Sequence, residues 1–253
     1  MDNVHEIIRS ERLEPKLTPI SLQDTFCFNC SPEVPCFNEC CRDLNQFLTP
    51  YDILRLKNHF DLPSGKFLEQ FTSQHIGPET GLPIVTLKPW EGTDLICPFV
   101  SPEGCKVYKN RPSSCRTYPL VRGLSRSRET GEITEQFMML QEPHCHGFRE
   151  HGKQTVRQWM DGQEIVIYNE INDQLMEIIS LKNQLMPGPL DLKSRHMFYL
   201  ALYDLDNFRS QIKKNGLLND FDIDSTTLDK AMEDDVALLE LGIQWVKMIL
   251  FNH

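Results

Sequence analysis

Cys27-Phe28-Asn29-Cys30-Ser31-Pro32-Glu33-Val34-Pro35-Cys36-Phe37-Asn38-Glu39-Cys40-Cys41 places five of the chain's nine cysteines in fifteen residues. The other four stand at Cys97, Cys105, Cys115 and Cys145, and none follows. Thiols that merely filled a core would be scattered along the chain, so this crowding reads as a thiolate site. Pro32 and Pro35 keep the early part of the run out of helix. Beyond Pro35 the spacing changes: Cys36 and Cys40 stand at i and i+4, which predicts one helical turn with both sulfurs on one face. Cys41 then points elsewhere, toward a different ion or toward none.

Length and charge bound the rest. The chain has 253 residues and a net charge of −10, with Lys and Arg massed on no segment. That balance argues against nucleic acid as a partner, and no apolar run reaches the ~20 residues of a membrane helix, so no membrane insertion is expected. The first residues, Met1 to Glu6, carry charge at once and do not resemble a secretory signal. A cytoplasmic location follows as the expectation. Clustered thiols there stay reduced, and they bind metal or catalyse rather than pair as disulfides.

Residues 1 to 25, with Ile7, Ile8 and Leu13 and then Pro15 and Pro19, read as an N-terminal arm. Thr49-Pro50-Tyr51-Asp52 marks a helix start, with Thr49 as N-cap, Pro50 at the first helical position and Asp52 completing a capping-box-like pair. Ile53, Leu54, Leu56 and Phe60 supply its buried side. A second helix opens at Pro63-Ser64, uses Phe67, Leu68 and Phe71, and is expected to run to the Gly77 to Gly81 turn. Pro83 to Lys88 has the composition of a strand.

Residues 95 to 120 are broken by Pro and Gly throughout and predict irregular backbone wrapped round a metal. Strands are expected at Tyr118 to Arg122 and Ile133 to Leu140, joined by the polar Ser125 to Gly131 loop. Beyond about residue 150 the pattern turns helical. Ile165, Tyr168, Ile171, Leu175 and Ile178 form one stripe, ending at Pro187-Gly188-Pro189. Phe198, Leu202, Leu205, Phe208 and Ile212 form another. Thr226 with Asp229 opens a last helix carrying Leu228, Met232, Val236, Leu239, Ile243, Val246 and Leu250.

Thiolate is the natural ligand of zinc in closed tetrahedral sites and of iron in iron–sulfur clusters. Cys27-x-x-Cys30 alone is weak evidence; the other thiols give it weight. His144 and His146 flank Cys145 and could complete a site, or be ordinary surface histidines. Arg42, Lys106, Arg111 and Arg116 could offset thiolate charge, with plain carboxylate pairing as the alternative for Arg111 and Arg116. The sequence has no Gly-rich phosphate loop, no H-E-x-x-H and no nucleophile elbow, so any catalysis would fall to a metal centre.

Five blocks together resemble one known family. They are Cys36 to Asp43 (C-F-N-E-C-C-R-D), Leu48 to Lys57 (L-T-P-Y-D-I-L-R-L-K), Cys97 to Phe99 (C-P-F), Gly104 to Leu120 (G-C-K-V-Y-K-N-R-P-S-S-C-R-T-Y-P-L) and His144 to Phe148 (H-C-H-G-F). The combination is similar to the YkgJ-type cysteine-cluster family of zinc- or iron-chelating proteins, over about residues 26 to 148. The commoner family pattern is C-x-x-C-x-x-C-C; here the run is longer, Cys36-x-x-x-Cys40-Cys41. The resemblance implies metal chelation, with Cys36, Cys40, Cys41, Cys97, Cys105 and Cys115 as carried-over ligands. A related cysteine cluster occurs in flagellin lysine N-methylases, although the helical pattern after residue 150 is not that of a dinucleotide-type fold.

The expected architecture is α+β, predominantly α. An irregular cysteine-rich metal-binding region at 26–148 with a few short strands continues into a C-terminal helical bundle at 149–253. The candidate ligands are Cys30, Cys36, Cys40, Cys41, Cys97, Cys105, Cys115 and Cys145. The leading expectation for the cofactor is an iron–sulfur cluster, [4Fe–4S] in type, in a redox or accessory protein. Zinc in a protein-interaction module with an unnamed protein partner is the alternative, and a metal-dependent methyltransferase the third.

Overall fold

The computed structural model describes residues 14–42, 45–92, 95–127, 129–149 and 152–251; Ile7, Ile8 and Leu13 of the expected arm lie outside them. The chain begins with strands β1 (Lys16–Ile20), β2 (Thr25–Cys27) and β3 (Phe47–Leu48), then helices α1 (Pro50–His59) and α2 (Ser64–Phe71). Strands β4 (Thr72–Ile76), β5 (Pro83–Leu87), β6 (Val100–Ser101) and β7 (Gly104–Cys105) follow, then the short helix α3 (Ser113–Thr117). Strands β8 (Leu120–Arg126), β9 (Ile133–Gln141) and β10 (Lys153–Thr155) complete the sheets. The rest is helical: α4 (Val156–Gly162), α5 (Val166–Leu185), α6 (Leu192–Leu202), α7 (Leu205–Asn215), α8 (Ser225–Glu233) and α9 (Asp235–Phe251). The fold is thus α+β and mainly helical.

Every strand pairing is antiparallel: β1-β9-β8, β3-β5-β4, and the two-stranded pairs β10-β2 and β6-β7. Lys16–Ile20, expected as part of an arm, is an edge strand on β9, with Leu17 opposite Leu140 and Ile20 opposite Phe137. Pro19 is tolerated because an edge strand leaves one side of its backbone unpaired.

The capping box at α1 forms as its residues predict. Thr49 Oγ accepts from the Asp52 amide at 3.2 Å, and Asp52 accepts from the Thr49 amide at 2.9 Å. Helix α2 ends at Phe71, earlier than expected, because Thr72 turns extended and β4 pairs with β5. The stripe ending at Ile212 belongs to two helices, α6 and α7, broken at Tyr203-Asp204, and the final stripe is split between α8 and α9 at Asp234. Asp224, not Thr226, caps α8. Helix α4 opens on a second capping box, Thr155 with Gln158.

Two apolar cores support these elements. The larger joins α1, α2, β5 and the helices from α5 onward, with Trp245 and Phe208 fully buried. Helix α9 is buried over most of its centre, with Gln244 left exposed. There Gly242 lets it approach α6 so closely that an added Cβ would collide with the Ala201 carbonyl. Ion pairs fasten this bundle to the cysteine-bearing half: Lys57 on α1 meets Asp235 at 2.8 Å, and Asp235 meets Arg209 at 2.5 Å. The smaller core, Phe26, Phe28, Leu120, Phe137 and Val156, lies against the β1-β9-β8 sheet, and Met160 touches both cores.

Candidate metal centre

The cysteines sit on backbone held in place by bonds that involve no sulfur. Residues 31–38 form turns, and Glu39–Cys41 is a single 3-10 turn. The expected α-helical turn from Cys36 to Cys40 is therefore absent. Asn38 adopts a left-handed φ of 69°, which ends any helix starting at Cys36, and its side chain donates to the Ser101 carbonyl at 2.9 Å. Main-chain bonds then bring distant segments together. The Cys97 amide donates to the Cys41 carbonyl at 2.8 Å, and the Asn29 amide to the Gly147 carbonyl at 3.1 Å.

These bonds gather eight of the nine cysteines into two adjoining groups. In the outer group Cys30, Cys36, Cys40 and Cys145 line one cavity of about 30 Å3, with His144, Tyr118 and Phe28 completing its wall. Cys36 Sγ accepts the His146 amide at 3.0 Å, while His144 lines the cavity with its Nε2 3.7 Å from Glu142. Burial, followed by Cys40, Cys36 and Cys145, pushes the Cys30 thiol up to about 11. Burial also raises Cys145, and the nearby Tyr118 hydroxyl acts against that rise.

In the inner group Cys97 stands just before β6, and Cys105 lies in β7 opposite Val100. Cys115 sits on α3, where its thiol is 3.5 Å from Gln46 Oε1. Cys41 approaches from the 3-10 turn. Burial lifts Cys97 to about 11, with Cys105 and Cys40 adding to it. Although the Cys115 residue is exposed, desolvation of its sulfur, then Cys97, Cys105, Asp52 and Cys40, pushes its pKa upward. Burial likewise raises Cys105, partly opposed by the Arg111 charge. The Cys41 thiol donates to Cys40, which holds Cys40 low and Cys41 high.

Cys27 belongs to neither group; it lies in β2, paired with Lys153 of β10. Arg111 acts on Cys105 as expected, whereas Arg116 and Arg42 do other work. Arg116, 2% exposed, donates to the carbonyls of Arg111, Gln163 and Lys109 and lies over the Tyr168 ring, so it staples the turn between Cys105 and Cys115. Its nearest carboxylate, Glu164, is 3.9 Å away and largely exposed. Arg111 stacks on Tyr108 at 3.9 Å and donates to Gln163. Arg42 pairs at the surface with Glu39.

Three contributors were not legible as site residues. Tyr118 packs its ring on Phe28 and sets its hydroxyl beside Cys145 and Glu142. Gln46 bonds both Ser114 and Cys115. Asp52, fully buried, accepts the Ser113 amide at 2.8 Å. The Tyr-Pro of the matched Gly104 to Leu120 block was the one signal pointing at Tyr118.

The donor set fits a thiophilic cation. Thiols packed this densely repel one another when ionised, and a bound cation offsets that repulsion while taking the thiolates as ligands. Among the described residues no three or more His, Cys, Asp or Glu side chains are placed to hold a metal ion; in each group the thiols would have to move closer for an ion to be held. Iron or zinc bound here would supply a thiolate-held Lewis acid or, as an iron–sulfur cluster, one-electron chemistry.

Comparison with protein families assigns the class. Residues 29–146 match the family model CxxCxxCC, described as "Putative zinc- or iron-chelating domain". Over that segment the chain is similar to this family, whose description supports metal binding. The matched residues start just after Cys27 and contain all eight cysteines of the two groups. Comparisons with curated proteins and with solved structures find no match. Among the described residues no helix is long and apolar enough to cross a membrane.

Proposed function

We propose that the thiolates of this chain hold an iron–sulfur or other iron centre and that the protein acts as a redox or accessory component. The observation that carries the reading is the nearness of Cys41, Cys97, Cys105 and Cys115, which come from three segments, the 3-10 turn, the β6-β7 hairpin and α3, and shift one another's ionisation. Asp52, Gln46 and Arg116 fix the backbone around Cys115. Four thiolates on irregular, rigidly supported backbone are what a cluster requires, because its sulfides and irons take up the space between loops. Arg111 offsets part of the negative charge beside Cys105.

A second reading, zinc in an interaction module, is favoured by one feature. The outer cavity, at about 30 Å3, has room for one water-sized occupant or little more, and His144 beside the thiols makes a mixed N/S set of the kind zinc takes. Iron and acid-labile sulfide analysis of anaerobically purified protein, with its visible spectrum, separates the two. Iron with stoichiometric sulfide supports the first reading; zinc filling the thiolates with neither iron nor sulfide overturns it.

A further inference from the structure

We propose that the eight cysteines form two separate metal centres that share a wall at Cys40-Cys41, an outer one built from Cys30, Cys36, Cys40 and Cys145 and an inner one built from Cys41, Cys97, Cys105 and Cys115. This rests on the thiolates being metal ligands and goes beyond it by fixing how many centres there are and which residues belong to each.

Two observations separate the groups, which touch where the Cys41 thiol donates to Cys40. First, each group rests on its own aromatic bed. Cys145 packs with Phe28, Tyr118, Phe148 and Trp159 in the smaller core, where Phe28 meets Tyr118, Phe148 and Trp159 with centroids at 5.7, 5.2 and 5.5 Å. Cys97 and Cys105 pack on the larger core, in which Phe99 meets Phe60 and Phe71 at 5.3 Å each. Finally, the cavity lined by the outer thiols includes Cys40 but neither Cys41 nor any cysteine of residues 97–115.

The outer set then holds a single ion, with His144 in reach of the cavity, and the inner set has four thiolates of its own.

The test is anaerobic titration of the full-length, metal-stripped chain with Co2+ alone, following sulfur-to-cobalt charge-transfer absorption and bound metal. Cys30→Ala and Cys115→Ala are the variants of choice, since both residues are exposed and their loss leaves no hole in either core; circular dichroism checks that each folds. The expected result is two equivalents bound by the wild type, one by each single variant with a different residual spectrum, and none held tightly by the double variant. One equivalent in the wild type, abolished by either substitution alone, would overturn the division while leaving metal binding intact. No thiolate-to-cobalt band in any form would overturn both the division and the metal reading beneath it.

Discussion

The carboxylate of Asp52 accepts the amide of Ser113 at 2.8 Å across 61 residues of chain, while its other oxygen accepts the Thr49 amide at 2.9 Å and the Ser113 hydroxyl at 3.2 Å. One buried side chain thus caps α1 and holds the start of α3, the helix that presents Cys115. Burial raises its pKa, and the Thr49 and Ser113 donors act against that rise. The helix-capping role is local. The grip on Ser113 sets the position of a ligand loop.

Asp52→Ala removes both caps and strands the Ser113 amide without its acceptor. A loss of about 2–4 kcal/mol is expected from a missing N-cap plus an unmade buried hydrogen bond. Urea unfolding of the metal-stripped chain measures it. A loss below ~0.5 kcal/mol would show that the Asp52–Ser113 bond contributes little.

Tyr118→Phe keeps the ring on Phe28 and deletes only the hydroxyl beside Cys145 and Glu142. Groups that orient a metal ligand typically change affinity by ~10–100-fold when removed. The outer ion should therefore bind roughly tenfold more weakly while the inner centre is unchanged, as competition with a chromophoric chelator will report. Equal weakening of both would mean that the hydroxyl acts on the fold instead.

Metal uptake must be linked to pH, and the sign follows from the thiols. Cys30 and Cys97 are pushed up to about 11, so both are protonated at neutral pH and must lose a proton to become ligands. Affinity therefore rises as pH rises toward those values and falls in acid, by about one log unit per pH unit for each proton displaced. Proton release on zinc addition in weakly buffered solution between pH 6 and 8 is the readout. Affinity independent of pH over that range would contradict thiol ligation.

Chelation should loosen the two cysteine-bearing loops far more than the helices. Cys36–Cys41 holds only turns and one 3-10 turn and Cys97–Cys105 only a two-residue-stranded hairpin, whereas α5 to α9 are sealed round Trp245, Phe208 and Ile178, all with 0% exposure. Hydrogen exchange after metal removal should accelerate roughly tenfold or more in those loops and stay slow in α9, which follows from stability being distributed unevenly through a fold. Equal acceleration throughout would make the metal a global staple.

Features written in neighbouring residues were legible in the sequence, and those settled by distant ones were not. Thr49, Pro50 and Asp52 announce α1 because a capping box spans three residues. The strands near Tyr118 and Ile133 follow from composition and an intervening polar loop. By contrast, β1 owes its existence to β9, more than a hundred residues away, and Pro19 concealed it. The breaks at Tyr203-Asp204 and Asp234 fall inside continuous apolar stripes with no Gly or Pro to mark them. There the aspartates bind elsewhere: Asp204 accepts the Ser64 hydroxyl and Asp234 the Ala237 amide, both at 2.7 Å. The capping box of α4, Thr155 with Gln158, was present in the residues and overlooked. The spacing of Cys36 and Cys40 suggested a helix that Asn38 prevents, and the two-group arrangement depends on which core each loop lies against, which no local pattern records.

X-ray absorption at the edge of the bound metal in the wild-type chain is the most direct test of whether these thiolates are the ligands. The account predicts a nearest shell dominated by sulfur at ~2.3 Å, reduced in number by Cys97→Ser and by Cys145→Ser. A shell of nitrogen and oxygen alone at ~2.0–2.1 Å, unchanged by either substitution, would contradict it.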